Sequence, residues 1–131
     1  MAIFAVGANY DGEDVSPQFI TQSIAGVGWS QASAPELHQL IASLKVGDII
    51  YIKAYSPSSP DIIVRGIGFV RDAFIHNNVT SNNLIACGRN VDWRFKKEFR
   101  IPKPAEKNNV RLNSAYEEFH PIIQAEILAR I

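Results

Sequence analysis

The sequence predicts an α+β fold built on a small, curved or closed, mostly antiparallel β-barrel with about three short helices. Three observations point there. Residues 48–55 and 62–71 are β-branched runs on either side of the loop Ser56-Pro57-Ser58-Ser59-Pro60-Asp61. Gly66 and Gly68 interrupt the second run, where a small barrel needs a bulge or sharp bend. Pro17, Pro35 and Pro121 each open a short stretch with helical apolar spacing.

The elements follow in chain order. Residues 3–8 read as a short buried strand, followed by the turn signal Asp11-Gly12. Ser16-Pro17 has the form of an N-cap with proline at the first helical position. Phe19, Ile20 and Ile24 continue at helical spacing until Gly26-Val27-Gly28 ends the helix. Ser33-Ala34-Pro35-Glu36 has the spacing of a capping box. Leu37, Leu40, Ile41 and Leu44 then form one apolar stripe, with Lys45 in the last turn and Gly47 as the stop. Alternation in 48–55 puts Ile50, Ile52 and Ala54 on one face and Ile49, Tyr51, Lys53 and Tyr55 on the other. Asn77-Asn78 and Asn82-Asn83 mark turns, and 84–87 is a weaker strand. Residues 90–95 form a strand with Val91, Trp93 and Phe95 on one face and Asp92 and Arg94 on the other. Residues 98–101 continue it beyond a bend. Residues 102–109 are a polar connector, and 115–119 reads equally as strand or helix. Pro121 opens a terminal helix with Ile122, Ile123, Ile127 and Leu128 as its buried side.

Composition limits the function classes. The 131 residues are 47% hydrophobic and 20% charged, with zero formal net charge. This excludes disorder as the main state and suits one domain over residues 1–131. No apolar run approaches the ~18 residues of a membrane span, so no membrane partner is expected. The start lacks a basic n-region and soon meets Asp11, Glu13 and Asp14, so a secretory leader is not expected. The one cysteine, Cys87, has no partner within the chain, and a reducing, cytoplasmic location is the expectation. His38, His76 and His120 lie far apart and give no sequence-local metal motif. No nucleophile–base or acid–base constellation is visible. No catalytic residue, metal or cofactor is therefore assigned, and the chain reads as a non-enzyme.

Charge is unevenly placed. Residues 1–48 carry five acids against one base, whereas residues 89–111 carry eight bases against three acids. Such a basic segment attracts phosphates, or it balances the acidic surface nearby.

Three stretches carry a family resemblance. Phe4-Ala5-Val6-Gly7-Ala8-Asn9-Tyr10-Asp11-Gly12 leads through a short helix to Gly26-Val27-Gly28-Trp29. Residues 40–53 read LIASLKVGDIIYIK. Arg65-Gly66-Ile67-Gly68-Phe69-Val70 is followed after a gap by Asn90-Val91-Asp92-Trp93. In that order they resemble the EVE-like modules of the PUA-like superfamily, especially those attached to McrB-type restriction NTPases. The resemblance runs from about Phe4 to Leu128. It implies a PUA-like barrel whose pocket reads a base, often a modified one, in DNA or RNA.

A base pocket needs aromatic faces for stacking, polar groups for the base edge and cations for phosphate. Trp29, in a glycine-flanked loop, is the candidate stacker, or else it caps the barrel end. Ser30 beside it can bond a base edge. Asn9 and Tyr10 leave the first strand at the barrel mouth, where turn chemistry is the other explanation. Lys53 and Tyr55 share a strand face with Tyr51 and suit a nucleic-acid surface, or they snorkel over a core edge. Asp92 can accept from a base amino group. Arg89, Arg94, Lys96, Lys97 and Arg100 are the candidate phosphate contacts, which position without reading sequence. Two alternatives stand beside nucleic acid as partner: a small molecule or nucleotide derivative in the same pocket, and a homodimer through exposed apolar surface.

Overall fold

The computed structural model describes residues 2–54, 59–104 and 115–131. The elements are β1 (Ile3–Gly7), β2 (Asn9–Tyr10), β3 (Glu13–Asp14), α1 (Ser16–Gln22), β4 (Ile24–Val27), α2 (Pro35–Ser43), β5 (Ile49–Ala54), β6 (Asp61–His76), β7 (Cys87–Phe95), β8 (Phe99–Pro102), β9 (Ala115–Glu117) and α3 (Pro121–Leu128). The fold is α+β. One seven-stranded sheet has the order β4-β7-β6-β5-β1-β9, with β8 added on β6, and β2 and β3 form a separate hairpin. Every pairing is antiparallel except β1 with β5. The hydrogen-bonded path ends at β4 and β9, so among the described residues the sheet does not close into a barrel.

Alternation along β1 and β5 divides the core in two. Phe4, Val6, Ile50 and Ile52 face one side, under β4, α1 and α2, with Phe19, Val27 and Ile41. Ile3, Ala5, Ile49 and Tyr51 face the other, with Ile123 and Ile127 of α3. Each fully buried side chain of this size contributes roughly 1.5–3 kcal/mol. Register shifts lie between Ile52 and Lys53, opposite Gly66, and between Ile67 and Gly68. The glycine-marked bends are therefore real bulges.

Seven local expectations are corrected. α1 starts at Ser16 itself, and the Asp14 carboxylate accepts from the Ser16 N–H at 2.9 Å. The helix stops at Gln22 because Ser23 turns left-handed (φ 57°), and Ile24, Gly26 and Val27 belong to β4. The capping box does not form: the Ser33 N–H bonds back to Ser30 Oγ at 3.2 Å, and Ala34 is the N-cap. Lys45 lies beyond α2, whose last carbonyls go to Arg89 instead. Phe95 packs in the second core cluster while Val91 and Trp93 lie in the first, because the bulge at Ile67/Gly68 inverts the alternation. In α3, Ile123 and Ile127 are buried, whereas Ile122 and Leu128 are exposed. Residues 84–86 are not strand, and β7 begins at Cys87.

Candidate functional site

A cleft of about 510 Å³ opens between α2 and the end of β6. Pro35, His38, Gln39 and Ala42 supply one wall. Their spacing of three, four and seven puts them on one face of the helix. Ile75, His76 and Asn77 supply the other wall, Ala86 and Cys87 lie between, and Gln31 enters from the preceding loop. The polar lining is thus amides and imidazoles.

Arg89 ties the two walls together. Its guanidinium is buried, with the residue only 2% exposed. It donates to the Ile41 and Leu44 carbonyls at the end of α2 and to the Asp72 carbonyl of β6 at 2.8 Å. A cation there also opposes the negative end of the helix dipole. Burial pulls the Arg89 pKa down, and Asp72 and Asp48 work against that shift. Arg89 Nε is buried without a hydrogen-bond partner.

A polar chain holds the β6 wall. The Asn90 side-chain amide donates to both oxygens of Asp72, at 3.1 and 3.2 Å. Its carbonyl oxygen accepts from His76 Nε2 at 2.7 Å, which leaves His76 Nδ1 facing the Thr80 hydroxyl at 3.0 Å. The Asn90 hydrogen bond holds the Asp72 carboxyl below the usual carboxylate range, with the Phe74 N–H and Arg71 assisting. Burial pushes the Cys87 thiol up, against the nearby Arg89 charge, so it is a poor nucleophile at neutral pH.

Trp29 stands beside this cleft. Its carbonyl accepts from His38 Nε2 at 2.6 Å, and Gln31, two residues on, lines the cleft. The residue is 56% exposed, so it does not serve as core. Tyr10 props the turn: its hydroxyl donates to the Gly26 carbonyl at 3.4 Å, and a Cβ on Gly28 would meet its ring at 3.2 Å. Burial pushes the Tyr10 phenol well up. No protein-family model matches the chain, and no curated protein matches it either.

The other expected site residues in the described chain do not line the cleft. Ser30 is exposed and closes a turn, donating to Ser33 Oγ at 3.0 Å. Asn9 is exposed on the β2–β3 hairpin, paired with Asp14. Lys53 is a correction. It is buried, on the sheet face opposite β4, and its ammonium donates to the Tyr116 hydroxyl and lies 4.7 Å from that ring centroid. Beside it the Tyr51 hydroxyl donates to buried Glu118 at 2.6 Å, and burial, with Tyr116 and Glu118 near, pushes that phenol up. Tyr55 falls outside the described residues. Asp92 is half-buried and accepts from Arg94 Nε at 2.7 Å.

The phosphate candidates divide. Arg89 is a correction, because its guanidinium is spent on backbone carbonyls inside the molecule. Arg94, Lys96, Lys97 and Arg100 are exposed. They lie at the other end of β7 from Trp29: Val27 pairs Cys87, and Arg94 is seven residues further, about 20 Å at strand rise. Trp93 is buried, its indole N–H donating to the Phe19 carbonyl at 3.1 Å. Among the described residues no three His, Cys, Asp or Glu side chains are grouped to hold a metal. No described helix is long and apolar enough to cross a membrane.

Sequence reasoning missed the cleft-lining His38, His76, Gln31, Gln39 and Asn77. They come from three segments that only the tertiary fold joins. The one local signal was the shared helix face of Pro35, His38, Gln39 and Ala42.

Proposed function

We propose that the protein is a non-enzymatic nucleic-acid-binding module that seats a base, modified or not, in the cleft beside Trp29. One observation carries the reading: an exposed tryptophan, its carbonyl bonded to His38, adjoins in the chain a cleft whose polar lining is amide and imidazole. Amides suit a base edge, since each presents a donor and an acceptor side by side. A stacked base contributes ~1–3 kcal/mol. A base taken from a duplex must first be flipped out, so single strands bind best. Arg94, Lys96, Lys97 and Arg100 contact phosphates several nucleotides away. The PUA-like, EVE-like character of the fold and a cytoplasmic location belong to the same proposal. The bulged sheet, with its register shifts at the predicted glycines, supports the former.

Titration of tryptophan fluorescence with single-stranded, duplex and base-modified oligonucleotides tests it. Saturable quenching that weakens with salt and vanishes in Trp29→Phe is the expected result. Absence of quenching by every oligonucleotide at low salt overturns it.

A second reading has its own observation: no Lys or Arg lines the cleft among the described residues. A free nucleobase or nucleoside then occupies it. Binding of nucleosides that is insensitive to salt, with no preference for oligonucleotides, selects this reading.

A further inference from the structure

A second concavity of about 590 Å³ lies between the end of α2, β1, β9 and α3, apart from the cleft beside Trp29. Its floor is apolar, with Ile3, Phe4 and Ile49. Phe119 and Leu128 stand in its lining, and Phe119, at 72%, is the most exposed of the large described aromatics. An aromatic held out in water beside an apolar groove marks a surface that something covers.

The charges in the groove indicate what. Lys45 and Glu117 both line it, one from the segment after α2 and the other from β9. Neither enters an ion pair among the described residues. The third charged group, Asp48, is already engaged, accepting from the Ala2 and Lys45 N–H groups at 3.2 and 2.8 Å. One available cation and one available anion in the same groove favour neither an acidic nor a basic partner. They complement a copy of themselves. In a two-fold interface each surface meets its own image, so a residue on one wall faces the opposite wall of the other copy.

We propose that this groove is a homodimer interface. A second copy of this chain covers it, each Phe119 entering the other copy's groove and each Lys45 facing Glu117 of the other copy.

Charge exchange tests this by sedimentation equilibrium on the full chain. The wild type dimerises with rising concentration. K45E and E117K each bring like charges together twice per dimer and weaken dimerisation roughly tenfold or more. An equimolar mixture of K45E and E117K pairs opposite charges at both places and recovers the wild-type affinity. Phe119→Ser, at an exposed position, weakens the dimer with an unchanged circular-dichroism spectrum. A wild type that stays monomeric at every concentration leaves the groove to a different partner and overturns the proposal. So do single reversals without effect, or folded variants whose mixture fails to associate.

Discussion

At the scale of single residues, Trp29 and Arg89 show how differently two chemically eligible side chains are used. Trp29 is exposed, so replacing it leaves the core intact. Trp29→Ala is expected to lower oligonucleotide affinity about tenfold or more, given ~1–3 kcal/mol per stacked base, with an unchanged melting temperature. Calorimetric titration and thermal unfolding on the same sample check both halves. Arg89→Met is expected to do the reverse. It strips donors from three carbonyls inside the molecule, at about 1–3 kcal/mol for each group left unsatisfied, and so lowers the urea midpoint. Asp72 adds a pH dependence. Its folded pKa is depressed, so its contribution is complete above the unfolded value of ~3.9 and disappears as pH falls through the lower folded value. Urea midpoints of wild type and Asp72→Asn are expected to differ near neutral pH and converge in acid. The sequence made Trp29 legible, because no strand or helix period accounted for it. It could not separate Arg89 from the exposed bases that follow, since a charge run says nothing of depth. Lys53 failed for a similar reason: alternation placed it on the right face, but Tyr116, 63 residues on, decides what covers it.

At the scale of elements, proline and glycine signals were read well where they act locally and poorly where pairing gives them meaning. Pro17, Pro35 and Pro121 do open helices, and Gly66 and Gly68 do sit at bulges. Gly26 looked like a helix stop, yet it is a strand residue that must lack a side chain. It pairs Gly88 in β7, and a Cβ on it would collide with the Cys87 carbonyl. Gly26→Ala is therefore expected to part β4 from β7 and to destabilise strongly, by several kcal/mol, since backbone cannot give way as a flexible side chain can. Loss of amide protection at Val27 and Cys87 in hydrogen exchange checks it, and unchanged protection counts against the pairing. Because β4 carries the chain into the Trp29 turn, the same substitution is expected to reduce ligand binding.

At the scale of the whole molecule, the α+β class and the mostly antiparallel sheet were legible from period and turn chemistry. The parallel β1–β5 pair, the open ends at β4 and β9, and the joining of residues 31–42 with 75–77 and 86–87 were not, because they depend on long-range order. That order sets the stacking residue and the exposed cations at opposite ends of β7. A ligand that uses both must be an extended strand. The most direct test is to follow the Trp29, His38 and His76 ring signals by NMR while adding a short single-stranded oligonucleotide. The account predicts that all three shift together and saturate at one affinity, while the Tyr51 ring signals stay still. Shifts confined to residues 94–100, with the three rings unmoved, would contradict it.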